Sequence, residues 1–139
     1  MSGMPEAFSV ATHGLSMRYR KQIALDAVDL RVPEGAVYVL IGATGAGKSS
    51  AMKVLLNLER AQAGHAEVFG LDTTTPGPTV RAQSGYIPEA HAQAYSWLTC
   101  GQLIRHVAAH YPAWDHAYAA QLIDVLGVRQ DRKVGTLSK

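Results

Sequence analysis

The sequence predicts an α/β fold, with strands gathered in the first third and helices in the last. Three observations carry this. Residues 26–32 alternate, with Val28, Leu30 and Val32 on one face and Ala27, Asp29 and Arg31 on the other, the period of a strand with one buried face. Residues 36–41, AVYVLI, form a continuous apolar run that leads into a glycine-rich loop and then into a segment of helical spacing. From Leu98 onward the apolar residues recur three and four apart, punctuated by Pro112 and Gly127.

The elements follow in order. Residues 8–12 read as a short strand of mixed character and residues 26–32 as the alternating strand, closed by the turn signal Pro33-Glu34-Gly35. The run 36–41 has the composition expected of a strand covered on both faces. Across residues 49–60, Met52, Leu55 and Leu56, with Ala51 and Leu58 beside them, follow a helical period, and Gly64 ends that unit. Residues 66–69 read as a short strand closed by Gly70, and residues 72–83, rich in Thr, Pro and Gly, as a loop or broken helix. Residues 85–89, GYIPE, read as a short strand ended by proline. Thr99 and Gln102 have the spacing of a capping box for a helix running to about His110, which Pro112 cannot continue. Asp115 is placed to cap the next helix, whose Ala119, Leu122, Ile123 and Leu126 share a face and which Gly127 stops.

Composition sets bounds on function. The 139 residues are 47% hydrophobic and 17% charged, the balance of a globular segment. The formal net charge of +2 is spread among acids without a basic run, so no nucleic-acid partner is expected. A single cysteine, Cys100, leaves no intrachain disulfide and fits a reducing cytosol. The start, MSGMPEAFSV, lacks a basic region followed by an apolar core, so no signal peptide is expected. The longest apolar stretch is far short of the ~20 residues that span a bilayer.

The loop itself carries the chemistry. Gly42-Ala43-Thr44-Gly45-Ala46-Gly47-Lys48-Ser49 matches G-x-x-x-x-G-K-[ST], and Ser50 follows it into the helix. Triphosphate oxygens need many donors at short range. Glycines let the backbone curl so that successive N–H groups point inward, and the next helix adds its free donors and the positive end of its dipole. Lys48 is expected to reach the β- and γ-phosphates of ATP, and the Ser49 hydroxyl to ligate Mg²⁺. The bland alternative, a glycine turn that happens to end in Lys-Ser, does not explain its place between an apolar run and an amphipathic segment.

The order of motifs over the whole chain resembles the nucleotide-binding domain of ATP-binding cassette (ABC) transporters. LSMRYRKQIALDAVDLRVPEG is similar to the family's opening strands, and Tyr19 matches the aromatic that stacks on adenine. HAEVFGLD resembles the stretch after the first helix, and GYIPE resembles the loop where most members carry glutamine; here the residue is Glu89, a candidate Mg²⁺ ligand. LSK looks like the start of the signature helix, with Ser138 beginning the motif whose glycines and helix N-terminus close over the γ-phosphate held by an opposite subunit. YPAWD and VGTLSK are similar to a subgroup of bacterial exporters. The resemblance implies a P-loop NTPase with a RecA-like core, N-terminal antiparallel strands and a partial helical subdomain. Residues 1–90 would be part of the nucleotide-binding core and residues 91–139 part of the helical subdomain. It also implies a transmembrane permease subunit as partner, a homo- or heterodimer of nucleotide-binding domains, and a cytoplasmic, peripheral place on the inner face of the plasma membrane.

Family members go on to an apolar strand ending in Asp-Glu and later a histidine, which hold Mg²⁺ and activate water. In this sequence the nearest candidate, Asp124 after Leu122-Ile123, falls in a helix-period segment with no following glutamate. The chain is therefore expected to be the N-terminal part of such a domain, to bind nucleotide, and not to turn it over. Two other readings stay open: a small-molecule P-loop kinase with Arg129 and Arg132 as phosphate clamps, and a non-catalytic nucleotide-binding interaction module. His106 and His110 lie four apart on a helix but lack a third convergent ligand, the pattern of a solvated face. Tyr95, Ser96 and Trp97 form a polar-aromatic stretch that reads equally as core or as the rim of a groove for the permease's cytoplasmic helix.

Overall fold

The first strand is far longer than its sequence signal. β1, Phe8–Tyr19, carries Gly14 and a run of alternating polar residues, yet pairs along its length with β2, Gln22–Pro33. The computed structural model describes residues 7–74, 77–88 and 94–137. These residues divide into two compact units, those up to residue 84 and those from residue 85 on.

The first unit is built on one antiparallel sheet. β3, Ala63–Val68, joins the other edge of β1, and the two-residue β4, Leu71–Asp72, adds to β3, giving the order β2-β1-β3-β4. The register pairs Val10 with Val32 and Val68, Leu15 with Val28, and Tyr19 with Gln22. As the alternation predicts, Val28, Leu30 and Val32 of β2 are half-buried and Asp29 and Arg31 exposed. A bulge of β1 between Thr12 and Leu15 lets these two residues, three apart, both turn inward, and Met17, two further on, shares the face of Leu15.

The core face of this sheet is covered by α1, Lys48–Leu55, and α2, Gly77–Gln83. Leu15, Met17, Leu25, Ala66 and Val68 from the strands meet Val54 and Leu55 of α1 and Val80 of α2 in one cluster. Val80 is fully buried, and burial of that kind stabilises by about 1.5–3 kcal/mol per aliphatic side chain. α1 is shorter than the periodicity of residues 49–60 suggests. Asn57 adopts φ +51, and the N–H groups of Leu58 and Glu59 both turn back to the Lys53 carbonyl, which ends the helix.

Two expected strands are not formed. Residues 36–41 have the composition of a doubly covered strand, but they pair with nothing among the described residues, and Val37, Val39 and Ile41 are 95%, 68% and 91% exposed. The reason is physical: an apolar run becomes a buried strand only when strands on both edges take its N–H and C=O groups, and β1 to β4 bond one another instead. Residues 85–88 are likewise irregular, with Ile87 91% exposed. The Ala36 N–H turns back to the Pro33 carbonyl, and the donors that follow it, beside exposed valines, are a template for edge association. Introducing Val37→Lys and Val39→Lys together is expected to lower concentration-dependent self-association in light scattering. Equal association in parent and variant would place the sticky surface elsewhere.

The second unit contains α3, Cys100–Ala108, α4, His116–Val125, and a terminal 3-10 turn, Val134–Thr136. Both caps expected from sequence are present. Thr99 Oγ1 accepts from the Gln102 N–H at 3.2 Å while Gln102 Oε1 accepts from the Thr99 N–H at 2.8 Å, and Asp115 Oδ1 accepts from the Tyr118 N–H at 2.9 Å. α4 gives way to Gly127 in the left-handed region at φ +61. The stretch 130–135 then runs back along residues 96–101, with Cys100 N–H bonded to Arg132 O, Gly101 N–H to Gln130 O and Val134 N–H to Leu98 O.

Candidate nucleotide-binding site

The glycine-rich loop leaves the run 36–41, turns through Gly45 at φ +84 and Gly47 at φ +86, and enters α1 at Lys48. Gly47 is the N-cap, in a left-handed conformation that a side chain rarely adopts. Space excludes one as well: a Cβ on Gly47 would lie 2.0 Å from the Ala24 carbonyl oxygen of β2. The loop is thereby pressed against the sheet at the one residue type that permits it.

The start of α1 is left open to a ligand. No side chain caps it and no acidic residue stands in its first turn. The first intrahelical bond runs from the Ala51 N–H to the Gly47 carbonyl at 2.9 Å, so the N–H groups of Lys48, Ser49 and Ser50 have no acceptor within the helix. Those donors, and the positive end of the helix dipole, are not opposed by any carboxylate in the turn. Gly42, Ala43, Thr44, Gly45 and Ala46 are exposed, Gly47, Lys48 and Ser50 half-buried, and the Ser49 hydroxyl sits on an exposed residue. The Lys48 ammonium folds back over the loop, donating to the Gly42 and Ala43 carbonyls at 2.7 Å each. Ala46 N–H bonds to Ala43 O at 3.1 Å and tightens the curl.

Tyr19 belongs to the same unit. It ends β1 opposite Gln22, whose amide nitrogen lies 4.0 Å from where a Cβ on Gly45 would stand. Tyr19, 43% exposed, stands at that end of the hairpin. Its hydroxyl donates to the Glu59 carboxylate, which also accepts from Lys53 Nζ at 2.9 Å. These donors, Tyr19 foremost and then Lys53, hold the Glu59 carboxyl below the ordinary glutamate value against the opposing effect of desolvation. Neither Gln22 nor Glu59 stands out in the sequence: their roles come from strand register and from a contact 40 residues apart.

Glu89 and Ser138 lie outside the described residues. The Arg129 guanidinium is engaged by Asp131 at 2.9 Å in its own unit. His110 Nδ1 is 2.8 Å from the His106 carbonyl, and the two rings meet edge to face at 5.0 Å. Among the described residues no group of three or more His, Cys, Asp or Glu could hold a metal. Tyr95 is half-buried and lies against the His106 ring, whereas Trp97 is 69% exposed.

A curled loop of this sequence, opening into an uncapped helix start, is what the P-loop NTPase fold is built around, and solved structures agree. An ATP-binding subunit of an ABC transporter superposes with a TM-score of 0.78 at 28% identity, over 94% of this chain and 56% of that one. A nucleotide-free ATP-binding cassette from an ABC transporter superposes at 0.70 with 21% identity, over 94% and 59%. The family described as ABC transporter matches residues 25–139, and the chain belongs to that family. Among relatives, the daunorubicin/doxorubicin resistance ATP-binding protein DrrA of Streptomyces peucetius is 34% identical over 94% of this chain and 41% of its own length. The phosphonates import ATP-binding protein PhnC 1 of Natronomonas pharaonis is 34% identical over 93% and 58%. The chain therefore spans about half the length of these relatives. No helix among the described residues is long and apolar enough to cross a membrane.

Proposed function

We propose that this chain binds MgATP as part of the ATP-binding subunit of an ABC transporter, the triphosphate lying in the loop of residues 42–47 and the adenine against Tyr19. The open helix start behind a left-handed Gly47 carries the proposal, because it offers unopposed backbone donors where an anion would sit. The residues fit the ion as well as the phosphates. The exposed Ser49 hydroxyl would hold Mg²⁺, with Glu89 a second candidate, and the ion would neutralise phosphate charge. Lys48 would exchange loop carbonyls for phosphate oxygens.

In the whole protein two such domains would pair, as a homo- or heterodimer, around two ATP molecules, with Ser138 opening the helix that faces the opposite site. They would couple hydrolysis to export through a transmembrane permease subunit, with Trp97 on the rim of the surface that meets it, at the cytoplasmic side of the membrane. The export direction rests on the likeness of YPAWD and VGTLSK to bacterial exporters.

Titration calorimetry with MgATP, MgGTP and magnesium tripolyphosphate tests the binding reading. Stacking on an aromatic face is worth roughly 1–3 kcal/mol per base and is tolerant of base identity. Tyr19→Ala is expected to weaken ATP and GTP by that amount and to leave tripolyphosphate unchanged, while Tyr19→Phe, which keeps the ring, loses less than Tyr19→Ala. If Tyr19→Ala binds ATP like the parent, the base is not held there.

A further inference from the structure

α1 carries Lys48 at its first residue, and its last turn carries Lys53, whose ammonium holds Glu59 just beyond the helix end. Glu59 in turn accepts the Tyr19 hydroxyl. The backbone around this contact is fixed from both sides. The Leu58 and Glu59 N–H groups return to the Lys53 carbonyl at 2.8 and 3.3 Å. Three residues on, Gln62 brackets the neighbour of Tyr19: its Oε1 accepts from the Arg18 N–H at 2.6 Å, its Nε2 donates to the Arg18 carbonyl at 3.0 Å, and its own N–H bonds to Ser16 O at 2.9 Å. An exposed tyrosine at a strand end ordinarily rotates among rotamers, and ordering one costs entropy on binding. Here the ring is tethered at its far end before any ligand arrives.

We propose that Glu59 is a positioning residue for the aromatic platform at Tyr19, holding the ring in one orientation so that a nucleobase finds a preformed face; this rests on the reading of Tyr19 as the base-stacking residue. The tether acts through the phenolic hydroxyl and not through the phosphate loop. Its signature is therefore selectivity between nucleotide and bare triphosphate. Because a single hydrogen bond to a charged acceptor connects the two side chains, removing either end has the same consequence, and removing both adds nothing.

A double-mutant cycle in the full 139-residue chain tests this. Glu59→Ala, Tyr19→Phe and the pair together are each expected to raise the Kd for MgATP about three- to tenfold, the double no more than either single, with tripolyphosphate affinity unchanged. Glu59→Gln keeps an acceptor oxygen for the hydroxyl while losing the charge that pairs Lys53, and is expected to restore most of the ATP affinity lost in Glu59→Ala. The proposal is overturned if the singles multiply in the double, or if Glu59→Ala weakens tripolyphosphate as much as ATP, since either places Glu59 in the general fold of the loop. Tyr19→Phe leaves the backbone untouched and carries the test even if Glu59→Ala folds poorly: parent-like ATP binding by Tyr19→Phe sinks the tether. The outcomes separate from failure of the platform itself. Tyr19→Ala losing ATP affinity while Glu59→Ala and Tyr19→Phe do not refutes the tether alone; all three binding like the parent refutes the platform.

Discussion

Lys48→Ala is expected to weaken MgATP binding by about 2–4 kcal/mol, the range for removing a desolvated charge partner. The Lys48 ammonium has two loop carbonyls, both uncharged, as its partners among the described residues, so a triphosphate would be its first anionic acceptor. Charge-assisted bonds are the strong ones, and the γ-end of the ligand is its most anionic part. Exchanging a neutral carbonyl for a phosphate oxygen is where the gain arises. The same substitution removes the two bonds that draw the loop together, so circular dichroism must show the variant folded. Titration with a fluorescent ATP analogue then gives the loss directly. Unchanged affinity in a folded Lys48→Ala chain would remove the loop from the list of phosphate sites.

Gly47→Ala is expected to cost about 3–4 kcal/mol of stability, at the upper end for a point substitution. Two effects combine. The left-handed conformation alone disfavours an L-residue by roughly 1–2 kcal/mol. The added Cβ would also fall 2.0 Å from the Ala24 carbonyl oxygen, which is main chain and not the end of a flexible side chain, at the bulge of β2 between the Met17–Leu25 and Arg18–Ile23 pairs. Gly14→Ala separates the two, because Gly14 also has positive φ, +57, but nothing lies within 4 Å of where its Cβ would stand. Urea unfolding of both variants is expected to show Gly47→Ala losing at least twice as much as Gly14→Ala. Equal losses would mean that the loop lifts off β2 easily and that the contact contributes little.

The parts of the fold that were legible in the sequence are those set by neighbours in the chain. Thr99 and Gln102 announce a cap because the bonds involved span three residues, and Asp115 does the same for α4. The phosphate loop is legible because its glycines and Lys48 sit in one continuous stretch. What depends on distant partners was not legible. β1 runs through Gly14 to Tyr19 because β2 and β3 flank it, although its own pattern supports only residues 8–12. Residues 36–41 have a buried strand's composition, yet they stand exposed, since composition states a requirement for neighbours without supplying them. At the site, Tyr19 was named by resemblance, whereas Glu59 and Gln22 emerged only from geometry, one across a helix end and the other across a hairpin.

The sheet order also has a temporal consequence. Among the described residues the four strands lie between residues 8 and 72, and their pairings are antiparallel. A nascent chain extends at roughly 5–20 residues per second, so β4 leaves the ribosome only roughly 3–13 seconds after β1. Hairpin pairing of β1 with β2 takes microseconds, and β3 needs only the return of α1 to complete the set. Vectorial synthesis therefore yields a closed little sheet early, with the stretch 36–41 looped out between β2 and α1. Because residues 36–41 stay unpaired once the sheet has closed, their exposure to chaperones and to other copies of the protein begins as they leave the ribosome and does not end when β4 pairs.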